Sequence, residues 1–216
     1  MKTKLGIRLS SIFNMIEGAN HNIWDLCCDH GKLGLALLES HKASKVVFVD
    51  QVSSIMDDLS RKIQKIKDLS PKRYELLTLS AEKIQLEDQS LICLCGIGGD
   101  VAQTIMAGII ANNDCRNHQF LISAQYHMYD FRKFLISHDF KVLNEELVFE
   151  GKWGYELLLV QQGNGKQVDS IGRGLYDEHS QKNRKYFANI INHYKRRLNQ
   201  DKSHAEALEL YEDLVK

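Results

Sequence analysis

The chain carries no excess charge of either sign. Its 28 Lys and Arg balance 28 Asp and Glu over 216 residues, so no global field draws it to nucleic acid or a membrane, and any such contact has to come from a local patch. Long apolar runs are also missing: nothing approaches the eighteen or so uncharged apolar residues of a spanning helix, and no basic leader followed by an apolar stretch opens the sequence. A cytoplasmic protein is the expectation. Cysteines are few and odd in number. Cys27, Cys28, Cys93, Cys95 and Cys115 lie mostly at strand-like ends, where a disulfide framework is geometrically awkward, so reduced thiols are expected. No metal is expected either, because adjacent Cys27 and Cys28 point to opposite faces of a strand and no second ligand pair follows them and His30. The first turn lacks G-x-G-x-x-G, which weighs against a nicotinamide oxidoreductase.

What is present is an alternation of apolar runs. With 44% hydrophobic and 26% charged residues, the chain suffices for one well-buried domain and a small appendage. Leu5, Leu9, Ile12, Phe13 and Ile16 recur at helical spacing, with Gly18 as a stop. Strand-like runs follow at Asn22 to Leu26, Lys45 to Asp50, Tyr74 to Leu79, Ser90 to Cys95 and Gln119 to Ser123. Helical patterns separate them at Leu33 to Leu38, Ile55 to Lys67, Val101 to Ile110 and Phe131 to Ser137. Such alternation predicts an α/β fold with helices on both faces of a parallel sheet. Phe140 to Phe149 and Trp153 to Gln161 are then joined by three residues only, which forces an antiparallel hairpin. The expected sheet is seven-stranded, mostly parallel, Rossmann-like, and closed by that hairpin, as in class I methyltransferases. From Gln162 to Gly174 the composition reads as a linker. Two apolar stripes complete the chain, one on Ile171, Leu175, Phe187, Ile190, Ile191, Tyr194 and Leu198, the other on Ala207, Leu208, Leu210, Tyr211 and Leu214. A turn at Asp201-Lys202-Ser203 would pair two helices there.

The segment Asp25 to Gly34, DLCCDHGKLG, joins a strand, an acidic turn and a helix start, the junction where an α/β protein holds a nucleotide cofactor. Some twenty residues on, the second strand ends in Asp50, the placement of a carboxylate that hydrogen-bonds a ribose. Three glycines in four residues, Gly96, Gly98 and Gly99, follow the fourth strand and would let backbone approach a planar ligand, the alternative being a simple strand-helix turn. Between His179 and His204 lie Lys182, Arg184, Lys185, Lys195, Arg196, Arg197 and Lys202 against the single acid Asp201. This is a phosphate-binding patch, or else a solvated helix face, and the later acids Glu206, Glu209, Glu212 and Asp213 would weaken it by pairing.

In order, Arg8-Leu9, Asp25-Leu26-Cys27-Cys28-Asp29-His30, Cys95-Gly96-Ile97-Gly98-Gly99 and Gly151-Lys152-Trp153-Gly154-Tyr155-Glu156 resemble the motifs of the bacterial tRNA (adenine-22-N1) methyltransferases. The resemblance spans about residues 1 to 160, and the helical tail is similar to the family's coiled-coil appendage. It implies a methyltransferase domain at 1–163, an appendage at 164–216, S-adenosylmethionine as cofactor and tRNA as partner, with a monomer or weak homodimer through the C-terminal helices.

Residue reading and resemblance together put cofactor contacts on Asp25, Cys27, Asp29, Gly31, Asp50, Gln51, Ala81, Glu82, Gly96, Gly98 and Gly99. A cationic cofactor favours acidic surroundings, although Asp29 has the alternative role of capping the next helix. Substrate contacts fall on Arg8, Tyr126, Tyr129, Lys182, Arg184, Lys185, Lys195, Arg196 and Arg197. Adenine N1 is normally paired, so the base must enter unpaired and stack, and Tyr126 and Tyr129 are expected at the mouth. At least one of Trp153 and Tyr155 is expected in the core. Asp29 is the candidate proton acceptor for the exocyclic amine, with His30 beside it.

The chain departs from the family pattern at Cys27, which stands at the first-turn glycine, and at Ser123-Ala124-Gln125, which stands for Gln-Pro-Asn. After the third strand, Ser80-Ala81-Glu82 occupies the region of the usual acid. Two alternatives stay open: methylation of another RNA nucleobase, and a non-catalytic RNA- or cofactor-binding module.

Overall fold

Eight strands form one sheet in the order β3-β2-β1-β4-β5-β7-β6-β8. The structure is a computed structural model that describes residues 3–18, 21–67, 69–86, 89–198 and 204–216. The five parallel strands are β1 (His21–Leu26), β2 (Ala43–Asp50), β3 (Tyr74–Thr78), β4 (Ser90–Cys95) and β5 (Gln119–Ser123). The hairpin β6 (Phe140–Glu150) and β7 (Trp153–Gln162) closes the sheet antiparallel, β7 lying against β5. Chain order reverses between β1 and β4, so a crevice opens over their carboxyl ends, the usual place for a ligand in an open α/β sheet.

Helices cover both faces. On one side, α1 (Ile7–Met15), α2 (Lys32–Glu39) and α3 (Ser53–Ile63) pack on Ile23, Val46, Phe48, Leu91, Cys93 and Leu121. On the other, α4 (Gly99–Asn112) and α5 (Met128–Ser137) pack on Leu26, Val47, Val49, Ile92, Leu94, Phe120 and Ile122. Because strands alternate their side chains, a sheet buried on both faces needs unbroken apolar runs such as Val46–Val49, and this is why the strands were readable as runs. Each fully buried side chain of this size contributes about 1.5–3 kcal/mol.

The stretch expected to be a linker is ordered against the body instead. β8 (Lys166–Gln167) pairs with Val142 and Lys141 of β6, adding an eighth strand to the seven expected, and Val168 and Ile171 are buried. Ile171 and Leu175 lie outside the helix expected to contain them, yet they join the same apolar cluster as α6 (Gln181–Leu198) and α7 (Ala205–Leu214). Phe187 meets Tyr211 while Tyr194 meets His204, so α7 runs back along α6. The expected turn at Asp201-Lys202-Ser203 lies outside the described residues.

A buried charge network ties this helical pair to the sheet. The Arg132 guanidinium of α5 is fully enclosed and donates through Nε to Glu156 Oε2 at 2.8 Å and through Nη2 to Glu145 Oε2 at 2.8 Å. Tyr186 of α6 donates its hydroxyl to Glu156 Oε1 at 2.9 Å. Burial opposes the Arg132 charge, but the two carboxylates outweigh it and hold its pKa above the usual arginine value.

Candidate functional site

The β1–α2 turn is built on left-handed backbone. Cys27 has φ 51° and Asp29 φ 47°, a conformation that favours glycine. Cys27 thus adopts a backbone conformation that a glycine would take without strain. Its thiol is pushed up to about 11, first by burial and then by Asp50 and Asp25, so it stays neutral near pH 7.

The acids of this turn divide their work differently from expectation. Asp25 is only 4% exposed, and its Oδ2 accepts from the Gly34 N–H at 3.0 Å, satisfying an orphan donor in the first turn of α2. The helix-capping role considered for Asp29 therefore falls to Asp25. Burial raises Asp25 to about 7, against the lowering effect of that hydrogen bond. Asp29 and His30 are both exposed, with Oδ1 and Nε2 3.8 Å apart.

Asp50 closes the turn from below. Its Oδ2 accepts from the Asp29 N–H at 3.2 Å and its Oδ1 from the Val52 N–H at 3.0 Å. It borders a cavity of about 390 Å³ lined also by Cys27, Gln51, Leu79, Ala81, Glu82, Ile97 and Ile105. Five of the residues expected at a cofactor, Cys27, Asp50, Gln51, Ala81 and Glu82, are brought together here, whereas Asp25, Asp29, Gly31, Gly96, Gly98 and Gly99 are not on this cavity's wall. Glu82 places a carboxylate after β3, where Ser80 Oγ donates to it at 2.6 Å and lowers its pKa.

The glycine turn after β4 packs closely against the neighbouring turn. Gly96 N–H donates to Ser123 O at 2.9 Å, Gln125 N–H to Ile97 O at 2.9 Å and Gly99 N–H to Tyr126 O at 2.8 Å. Gly96 has φ 93°, and a Cβ on Gly99 would stand 2.5 Å from Tyr126 O. The β4–α4 and β5–α5 turns are thereby stitched together, and Ser123-Ala124-Gln125 forms one side of the seam. Arg8 of α1 reaches the same turn. A Cβ on Gly96 would lie 3.3 Å from its Nη2, the guanidinium sits 4.9 Å from the centre of the Tyr155 ring, and its buried Nε and Nη1 have no hydrogen-bond partner.

Beyond the seam lies a larger groove of about 930 Å³ between the β5–α5 turn, the β6–β7 turn and α6. Lys152, Lys182, Lys185, Arg196 and Arg197 line it, with Asp130 the one carboxylate on its wall among the described residues. Tyr126 is 61% exposed there. Tyr129, also expected to receive a base, lines the groove too but is only 4% exposed, its ring packed edge-on against Tyr194 and tilted against Tyr211. The helical tail covers it. Two of the expected basic contacts are engaged elsewhere, Lys195 with Glu212 at 2.7 Å and Arg184 with the Glu178 carbonyl. Neither expected core aromatic of the hairpin is buried. Trp153 is 56% exposed on the groove, and Tyr155 is half-buried under Arg8.

Lys152, Trp153, Gln125 and the histidines His127, His193 and His204 are groove residues that sequence reading missed. Only the tip position of Lys152 and Trp153, one and two residues past the turn glycine Gly151, hinted at exposure. Among the described residues no group of three His, Cys, Asp or Glu could hold a metal ion, and no helix is long and apolar enough to cross a membrane.

Five parallel strands closed by an antiparallel hairpin, with a carboxylate-lined cavity at the point of strand reversal, define the Rossmann-like methyltransferase class. The chain belongs to the family described as a methyltransferase domain, which matches residues 5–158. Among solved structures it is similar to the B. subtilis m1A22 tRNA methyltransferase TrmK, at 18% identity and TM-score 0.83 over 100% of both chains. It is also similar to M. capricolum TrmK in complex with S-adenosyl-homocysteine (15% identity, TM-score 0.78, 98% of this chain and 99% of that one). Streptococcus pneumoniae Sp1610 in complex with S-adenosyl-L-methionine matches at 16% identity and TM-score 0.78, over 99% of this chain and 100% of that one. No curated protein matches the chain in sequence.

Proposed function

We propose that this protein transfers a methyl group from S-adenosylmethionine to N1 of an adenine in tRNA, adenine 22 by its resemblance to the m1A22 enzymes. The observation that carries the reading is the adjacency of two unlike sites on one sheet edge. A small cavity bordered by Asp50 and Glu82 meets, across the stitched turns, a large cationic groove beside Tyr126. Full-length likeness to structures described as tRNA (m1A22) methyltransferases supports it.

The residues of the small cavity fit the cofactor. Asp50, fixed by two backbone donors, retains acceptor capacity for ribose hydroxyls, and Leu79, Ala81, Ile97 and Ile105 offer apolar walls for a base. Bound S-adenosylmethionine would supply an electrophilic methyl group on a positively charged sulfur. Carboxylates suit such a cation, and the neutral Cys27 thiol does not compete as a nucleophile. The chain's own part is then to bind, orient and exclude water, since attack by N1 depends mainly on positioning. Asp29, exposed at the turn, accepts the proton of the exocyclic amine, with His30 as its neighbour. Lys182, Lys185, Arg196 and Arg197 hold phosphates along α6, and Arg8 contacts the substrate at the Gly96 turn. The protein acts in the cytoplasm as a monomer or weak homodimer, residues 1–163 carrying the reaction and 164–216 adding the phosphate contacts of α6.

The experiment is incubation of the protein with labelled S-adenosylmethionine and bulk tRNA from cells lacking the gene, followed by nucleoside mass spectrometry. A 1-methyladenosine peak is expected, to be placed at position 22 by mass mapping of nuclease fragments, and Asp29→Ala is expected to abolish it with an unchanged thermal melt. Unaltered activity in that variant removes Asp29 from the mechanism. Cofactor binding without transfer to tRNA turns the search to another nucleobase, the reading favoured by the altered Ser123-Ala124-Gln125 segment with its buried, unpartnered Ser123 hydroxyl.

A further inference from the structure

We infer that the tip of the β6–β7 hairpin, Lys152 and Trp153, is a second RNA-contacting site that stacks an unpaired base flanking the reacting one; the inference rests on the RNA reading above. Tryptophan is a costly side chain to leave in water, yet Trp153 is more than half exposed, and it faces the same groove as the exposed Tyr126. Ile122 of β5 pairs with Leu158 of β7, so Ser123, the last residue of β5, lies level with Leu157. Trp153, four residues before Leu157 at the start of the antiparallel β7, therefore stands roughly 13 Å past the end of β5 at the usual rise per residue. Tyr126, from the β5–α5 turn, and Trp153, from the hairpin tip, thus reach one groove from different elements, which suits them to different nucleotides.

The tip is rigidly carried. Glu150 pairs with Trp153 in the ladder, and the Gly154 backbone lies so close to Tyr186 of α6 that a Cβ there would come within 2.5 Å of its ring. Gly151, by contrast, has nothing within 4 Å of a Cβ position, so the outer side of the tip is open. Lys152 Nζ sits over the Trp153 ring, 5.0 Å from its centre, so the cation takes one face of the indole and a base would stack on the other. Among the described residues, five cations against Asp130 on the groove wall match a polyanion, on a chain whose net charge is zero. An aromatic face next to a cationic track selects single-stranded or loop RNA, because paired bases present no free face.

The test reads tryptophan fluorescence. Trp24 and Trp153 are the two tryptophans, so the difference between wild type and Trp153→Phe isolates the tip. An unmodified tRNA transcript is expected to quench this signal, and a blunt RNA duplex of equal length is not. Trp153→Ala is expected to weaken tRNA binding about ten-fold or more while Trp153→Phe largely restores it, as for other base–aromatic stacks. Lys152→Gln is expected to flatten the slope of log Kd against log salt by about 0.7–0.9. Affinity for S-adenosylmethionine should be unchanged in all three.

Wild-type tRNA affinity in Trp153→Ala, or equal quenching by the duplex, overturns the stacking site. A Trp153 emission maximum that shifts with protein concentration in the absence of RNA assigns the tip to self-association and also overturns it. Loss of tRNA methylation as the reaction, with Trp153-dependent binding retained, would sink the proposed substrate chemistry alone, so the two failures are distinguishable.

Discussion

Asp25 and Asp50 show how two carboxylates on neighbouring strands acquire different chemistry from their surroundings. Asp50 keeps partial exposure and two backbone donors, whereas Asp25 is enclosed with one. Burial lifts Asp25 to about 7, so the folded state holds a proton that the unfolded chain releases above about pH 4. Its stabilising effect is thus complete below pH 4 and is lost as pH rises through 7, at a rate of up to about 1.4 kcal/mol per pH unit. Asp25→Asn should remove this slope. Urea unfolding of the two proteins between pH 4.5 and 7.5 checks it, and parallel curves would show that Asp25 titrates normally. The role of Asp25 was half legible: an acid before a turn suggests a ligand, but nothing local tells a cofactor contact from a helix cap nine residues on.

At the scale of elements, the five parallel strands and the hairpin were legible because both depend on near-neighbour pattern, apolar runs and a three-residue link. The ion cluster of α5, β6, β7 and α6 was not, since Arg132, Glu145, Glu156 and Tyr186 are far apart in sequence and each reads locally as a surface residue. Breaking a buried pair by removing one partner leaves an uncompensated charge. Arg132→Met should therefore cost about 3–5 kcal/mol, measured by urea denaturation, and it should free the Tyr186 hydroxyl partner as well. A loss below about 1 kcal/mol would mean that water reaches Glu156 and the network is not sealed.

For the whole molecule, the helical tail is part of the body's packing. Tyr129 of α5 and Leu147 of β6 share an apolar cluster with α6 and α7, and β8 extends the sheet into the segment that composition reads as a linker. A chain ending at residue 163 would bare Tyr129 and leave Glu156 without Tyr186. Its melting temperature should fall by several degrees at about 4 °C or less per kcal/mol for a chain of this size, while the intact protein melts in one transition by calorimetry. Two transitions, the second at the truncated protein's temperature, would mean that body and tail unfold independently.

The sequence by itself determined the α/β alternation, the closing hairpin, the acidic first turn and the carboxylate ending β2, because each is written in residues close together along the chain. Only the tertiary structure decided which of those residues share a cavity. Folding the tail back over α5 buried Tyr129, paired Lys195 with Glu212 and left Trp153 in the open at the hairpin tip. Such outcomes depend on surfaces meeting across the fold, and burial, not residue type, settles whether an aromatic ring or a charged group faces a ligand or the core.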